Sequence, residues 1–162
     1  MAIQDSSTSN GELTLTGEFL DFTAPGLFAY WTRPDLLRQW WPPQAEVEAH
    51  LGGAYHYWWP ERGDHLRGVF TAFEPGRQLA FTWRWDHEPP DTPTRTVTVT
   101  ITPDSRHDER VTLTLRHEPY ADTPAEQEAR KGHLEGWTYF LGKLQSLSPA
   151  DDWTGAPDRD EE

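Results

Sequence analysis

Seven histidines, nine tryptophans and no cysteine set the chemistry open to this 162-residue chain. Without cysteine, thiol nucleophiles, disulfides and thiolate metal sites are all excluded. No two histidines sit at His-x-His or His-x-x-x-His spacing with a carboxylate on the same element, and His-Glu-x-x-His does not occur. The expectation is no metal and no cofactor. Gly-x-Ser-x-Gly is also missing. Acid–base chemistry remains open through His133 with Glu135, or through Arg84 and Arg95 orienting a substrate oxyanion. Arg84 sits on the outward parity beside Trp83, and nothing in the spacing brings an acid and a base to one point. The chain therefore reads as a binder rather than an enzyme, with no catalytic residue assigned.

The aromatic residues give the stronger signal. Seven of the nine tryptophans lie between Trp31 and Trp85. Aromatic side chains offer wide, rigid surface with a polar edge, which suits the wall of a pocket. Tyr55, Tyr57, Phe81, Trp83 and Trp85 are expected to share the inner face of a sheet. Trp137 and Leu141 face them from a C-terminal helix, with His133 one turn before Trp137 at the pocket's mouth. The predicted ligand is a small hydrophobic or aromatic molecule held between sheet and helix, with Trp83 and Trp137 opposed across the cavity and Tyr57 closing one side.

The elements that must position these residues follow from periodicity. Residues 12–20 alternate as a strand. Pro25 opens a short helix to about Trp31, and Thr32 is a plausible N-cap for a second, with Pro34 in its first turn, ending near Trp40 before Pro42. Strands are expected over 45–50, 54–59, 66–74, 79–85, 94–102 and 110–116. Phe70 and Phe73 differ by an odd step, which a β-bulge would reconcile. Val97, Val99 and Ile101 alternate with threonines, and Val111, Leu113 and Leu115 repeat the pattern, as antiparallel strands wet on one face do. After Pro124 the period changes to 3.6. Leu134, Trp137, Leu141 and Leu144 make an amphipathic helix to about Ser148. Gly132, Gly136 and Gly142 weaken that helix and suggest close packing against something large. On the outer parity, His56 and Trp58 point to a homodimer interface.

Length and charge bound the rest. The chain fits one domain. No run approaches the roughly 20 apolar residues of a membrane span, and the first ten residues lack a secretory pattern, so a cytoplasmic location is expected. The net charge of −13 argues against nucleic acid. Residues 1–11 read as a disordered tail, 12–148 as the domain, and 149–162, with six acids and one Arg, as an acidic tail. Trp153 alone there is able to dock.

Five segments in order carry a resemblance: Asp35-Leu-Leu-Arg-Gln-Trp-Trp41; Leu51-Gly-Gly53 before an aromatic strand; Gly68 with Glu74-Pro75; Leu79-Ala-Phe-Thr-Trp83; and Glu135-Gly-Trp137 with Leu141 and Leu144. Across about residues 12–148 the chain resembles the activator-of-Hsp90-ATPase-homologue-like family of the START-like (SRPBCC) superfamily. That resemblance implies an α+β helix-grip fold: a curved seven-stranded antiparallel sheet around a long C-terminal helix, with two short helices after the first strand. It implies an apolar cavity and no shared catalytic motif. Two alternatives accompany it, an Hsp90-activator-type interaction module and a cyclase- or hydrolase-like enzyme using the same cavity. The acidic charge, and the lack of room for the co-chaperone's additional N-terminal domain, set the expectation that an Hsp90-type chaperone is not the partner.

Overall fold

Alternation of apolar and polar residues builds a sheet whose inner face is almost entirely hydrocarbon and aromatic. The computed structural model describes residues 3–147, so the acidic stretch and Trp153 lie outside the described residues. The strands are β1 (Gln4–Asp5), β2 (Leu13–Leu20), β3 (Gln44–Val47), β4 (Ala54–Trp59), β5 (Asp64–Glu74), β6 (Gln78–Trp85), β7 (Arg95–Asp104) and β8 (His107–Glu118). The helices are α1 (Ala24–Ala29), α2 (Pro34–Leu37) and α3 (Pro124–Gln145). Among the described residues the strands form one antiparallel sheet in the order β1-β2-β8-β7-β6-β5-β4-β3. With α3 packed on it, this is a helix-grip α+β fold.

Each inward parity is buried as its sequence pattern requires. Val97, Val99 and Ile101 on β7 lie beside Val111, Leu113 and Leu115 on β8. Burying each such side chain contributes about 1.5–3 kcal/mol. The register of β5 against β6 shifts between Phe70 and Ala72. This bulge turns both Phe70 and Phe73 toward the core, where their rings meet at 5.6 Å. Gly68, opposite Tyr55, has no alternative residue. A Cβ there would lie 2.1 Å from the Thr82 carbonyl oxygen and 2.6 Å from the Tyr55 ring. That space lets the Tyr55 hydroxyl cross β5 and donate to the Thr82 carbonyl at 2.5 Å.

Two expectations are corrected. The sheet has eight strands rather than seven, because Gln4–Asp5 pairs with Thr16 and Leu15 at one edge; a two-residue pairing offers no alternation to read. Thr32 is not the cap of α2. Arg33 occupies the N-cap without a side-chain hydrogen bond, while the Thr32 hydroxyl turns back to the Phe28 carbonyl. The capped short helix is α1, where Thr23 Oγ1 accepts from the Gly26 amide.

The helices close the concave face. α1 and α2 bury Leu27, Phe28, Leu36 and Leu37, and the turns after them bury Trp31, Trp40 and Trp41. Trp40 Nε1–H donates to the Tyr30 carbonyl at 2.9 Å, which satisfies the polar edge of a fully buried indole. α3 buries Trp137, Leu141 and Leu144. No helix among the described residues is long and apolar enough to cross a membrane.

Candidate functional site

A cleft of about 170 Å³ opens where the middle of α3 crosses the ends of β4 and β6. Its sheet side is formed by Trp59 of β4, Trp83 and Trp85 of β6, and Trp41 from the turn after α2. Its helix side is formed by Gly132, His133, Gly136, Trp137 and Phe140, with Arg62 at the rim. The indoles brace one another. Trp41 and Trp83 stack at 5.9 Å and 10°, and Trp137 meets Trp41 at 4.8 Å and Trp83 at 5.7 Å. Trp59 and Trp85 meet at 5.4 Å, and the Arg62 guanidinium lies 5.4 Å over the Trp59 ring.

The glycines of α3 serve a different end from the one expected. A Cβ at Gly132, Gly136 or Gly142 would meet nothing within 4 Å, so they do not permit close packing. Gly132 and Gly136 line the cleft and leave it unfilled. Gly132→Ala and Gly136→Ala should each stabilise the protein, by about 1 kcal/mol from helix propensity alone. A raised urea midpoint checks this; a loss of stability would show that the glycine conformation is itself required.

Behind the aromatic wall lies a polar cluster. His117 is fully buried, and its Nδ1 accepts the Trp137 Nε1–H at 3.0 Å. His133 stacks on His117 at 4.5 Å and 12°, and its Nδ1 lies 2.7 Å from the Tyr120 hydroxyl. Arg95, 2% exposed, grips both oxygens of Glu126 at 2.8 and 3.0 Å and donates to the Pro119 carbonyl at 2.6 Å. Its guanidinium also sits 4.5 Å over the Tyr120 ring. Glu126 occupies the third helical position after the Thr123 cap, yet its carboxylate is spent on Arg95 and the Ala121 amide.

Burial governs the ionisation of this cluster. It holds the His117 imidazolium well below the usual range, aided by His133 and Arg95. Burial, with Arg95 adding to it, pulls His133 down to about 4. Burial pushes the Tyr120 phenol above its usual range. The hydrogen bond from Arg95 holds the Glu126 carboxyl low. A histidine held neutral takes up its proton more readily in the unfolded chain. Its stabilisation is complete above about pH 6.5 and is lost as pH falls from there through the folded value. For His133 alone this is about 3 kcal/mol between pH 6.5 and 4. Urea midpoints should therefore fall steadily over that interval, and the part above about pH 5.5 lies clear of ordinary carboxylate protonation. A flat profile from pH 7 to 4.5 would contradict the neutral assignment.

Of the residues expected to bind ligand, Trp83, Trp85, His133 and Trp137 line the cleft. Tyr55, Tyr57, Phe81 and Leu141 do not; they lie deeper in the core, each at most 2% exposed. Trp83 and Trp137 touch rather than oppose one another across a void, and Tyr57 packs behind Trp41 at 5.1 Å. Arg84, weighed as an oxyanion holder, is spent on the Pro89, Pro90 and Thr92 carbonyls, and Arg95 on Glu126. Glu135 is exposed and is not part of the cleft wall. On the outer face, His56 stacks on Trp58 at 4.4 Å, and its Nε2 lies 2.9 Å from His65 Nδ1. Among the described residues no cluster of three or more His, Asp or Glu is placed to hold a metal ion.

The reading missed Trp41, Trp59, Arg62 and Phe140 on the wall, and His117, Tyr120 and Glu126 behind it. Two of the buried polar groups had a signal. His117 continues the inward parity of Val111, Leu113 and Leu115, and Arg95 that of Val97, Val99 and Ile101. A polar side chain on an inward parity must be paired or functional.

Comparison with known proteins agrees with this architecture. The chain is similar to a solved protein of Rhodobacter sphaeroides, at 22% identity and a TM-score of 0.72, over 90% of this chain and 96% of that one. Protein MLL2253 from Mesorhizobium loti is similar at 23% identity and a TM-score of 0.69, over 86% and 97%. PFC0360w, an HSP90 activator from Plasmodium falciparum, is similar at 19% identity and a TM-score of 0.61, over 83% and 94%. At these identities the likeness is one of fold. No curated protein matches the sequence. Residues 21–148 match the family described as activator of Hsp90 ATPase homolog 1-like protein, which is most of the chain. The chain therefore belongs to that family.

Proposed function

We propose that the protein binds a small aromatic or hydrophobic molecule in the cleft between the ends of β4 and β6 and the middle of α3. One observation carries this reading: five indoles converge on a cleft whose facing helix positions are Gly132 and Gly136, where an added Cβ would meet nothing within 4 Å. A core that only needed filling would place apolar side chains there, since each glycine weakens the helix by about 1 kcal/mol relative to alanine. The volume of about 170 Å³ suits a single-ring compound, as an apolar cavity of about 150 Å³ takes up benzene. The family and fold are compatible with this use, and Hsp90 activation stays with the relative that bears that description.

The test uses isopropylbenzene as the probe and indole fluorescence as the readout. Wild-type protein should show a saturable change, because the wall of the cleft is tryptophan. Gly136→Leu should abolish it by projecting a side chain into the mouth, while its melting temperature stays at or above that of the wild type. Absence of a saturable response in the wild type, or its persistence in Gly136→Leu, would overturn the proposal.

A further inference from the structure

Three ring N–H donors without an acceptor lie close together here, those of Trp83 and His133 on residues of the cleft wall and that of His117 behind it. Indole nitrogen only donates, so the Trp137 contact makes His117 Nδ1 an acceptor that carries no proton. Neutral His117 then bears its proton on Nε2, which is buried and has no partner. Trp83 Nε1–H is likewise buried without a partner, on a residue of the cleft wall. The Tyr120 hydroxyl must also place its proton. Arg95 beside it has only donors, and the remaining neighbour is His133 Nδ1 at 2.7 Å. Tyr120 therefore donates to Nδ1, which puts the His133 proton on Nε2. Among the described residues that Nε2 has no hydrogen-bond partner, and His133 belongs to the cleft wall.

The three rings are mutually close: His117 to Trp83 at 4.6 Å, Trp83 to His133 at 5.4 Å, and His133 to His117 at 4.5 Å. The nearby acceptors are already engaged, since Arg95 holds the Glu126 carboxylate and the Pro119 carbonyl. No Asp, Glu, Asn, Gln, Ser or Thr lines the cleft, and Arg62 at its rim adds only further donors. Apart from His133 Nδ1, which is already taken by the Tyr120 hydroxyl, every polar side-chain atom on the wall is a hydrogen-bond donor. Leaving a donor buried and unpaired is costly, so an arrangement of this sign favours a ligand that brings the acceptor.

From this we infer that the cleft selects aromatic molecules carrying an sp² oxygen acceptor, a ring-attached carbonyl or carboxylate, which accepts from His133 Nε2–H. This rests on the cleft being a binding site, and it adds the chemical class that the site would take. Protonated amines, which bring only donors to a wall of donors, would be rejected. Tyr120 is a positioning residue here: it does not line the cleft, and it acts by holding His133 in the donating tautomer.

The experiment compares acetophenone with isopropylbenzene, which has nearly the same shape and lacks the oxygen, by titration of indole fluorescence. The affinity ratio of acetophenone to isopropylbenzene should fall about tenfold from wild type to His133→Phe, which keeps a ring but removes the donor. An unchanged ratio would overturn the inference while leaving the cleft reading intact. Failure of isopropylbenzene and acetophenone alike to bind the wild type would overturn both. A second measurement needs no variant. Nitrogen-15 spectra of the wild type at neutral pH should show His133 with Nδ1 unprotonated and Nε2 protonated, and acetophenone should shift the Nε2 resonance. A protonated Nδ1, or an Nε2 resonance indifferent to saturating acetophenone, would sink the inference. Benzoate is the anionic arm: it should also shift Nε2 and should raise the pH at which His133 titrates.

Discussion

Glu126→Ala should destabilise the fold by about 3–5 kcal/mol, because it strands a buried cation. Arg95 is 2% exposed and is held by both Glu126 oxygens at 2.8 and 3.0 Å. Without the carboxylate, the guanidinium keeps only the Pro119 carbonyl and the face of Tyr120, too little to replace water around a full charge. The same substitution removes the acceptor of the Ala121 amide just before α3. The cost belongs to the broken pair and not to the intact one. Replacing both partners by apolar residues, as in Arg95→Met with Glu126→Leu, should cost less than Glu126→Ala alone. Urea unfolding of the two single variants and the double one decides this. A Glu126→Ala variant within about 1 kcal/mol of wild type would show that Arg95 finds water when its partner is gone.

Trp137→Ala is expected to cost about 3–5 kcal/mol, as truncation of a buried aromatic does. Its ring is 3% exposed and touches Trp31, Trp41 and Trp83 at 5.9, 4.8 and 5.7 Å. One edge of the same ring belongs to the cleft, so truncation should both destabilise the fold and enlarge the site. Isopropylbenzene should lose affinity, while a two-ring probe such as naphthalene gains it. Trp137→Phe separates packing from hydrogen bonding. It keeps most of the ring area and leaves His117 Nδ1 without its donor, which should cost about 1–3 kcal/mol. A cost near zero for Trp137→Phe would mean that His117 changes tautomer or partner freely, which would weaken the donor assignment at the cleft.

Strand placement was legible in the chain because parity is a local property. Apolar residues alternating on a half-buried strand reveal its inner face with no knowledge of its neighbours. That is why Val97, Val99 and Ile101, the bulge between Phe70 and Phe73, and the stripe of Trp137, Leu141 and Leu144 were all readable in advance. The same parity placed Trp83 and Trp85 on the inner face, and helix spacing put His133 one turn before Trp137 near the pocket's mouth. Edge strand β1 and the start of α2 carry too few residues to form a pattern, and they went unread or misassigned.

Parity states which face a residue joins but not how deep it lies, and depth decided the site. Tyr55, Tyr57 and Phe81 share the face of Trp83, yet they are covered by rings such as Phe70, Trp41 and Trp31 and belong to the core. Trp41 reaches the wall from a turn that has no period, and Arg62 from the β4–β5 turn. The polar cluster depends on pairs distant along the chain: Tyr120 with His133 across 13 residues and Arg95 with Glu126 across 31. No local pattern encodes such pairings; they exist only once β7, β8 and α3 are packed together. The glycines of α3 changed meaning for the same reason. From composition they suggested contact, and in three dimensions they keep space. The chain by itself settled what kind of surface it builds, because hydrophobic periodicity is written residue by residue. The packing of α3 over the sheet alone settled where that surface stays open and which buried ring nitrogens are left without a partner.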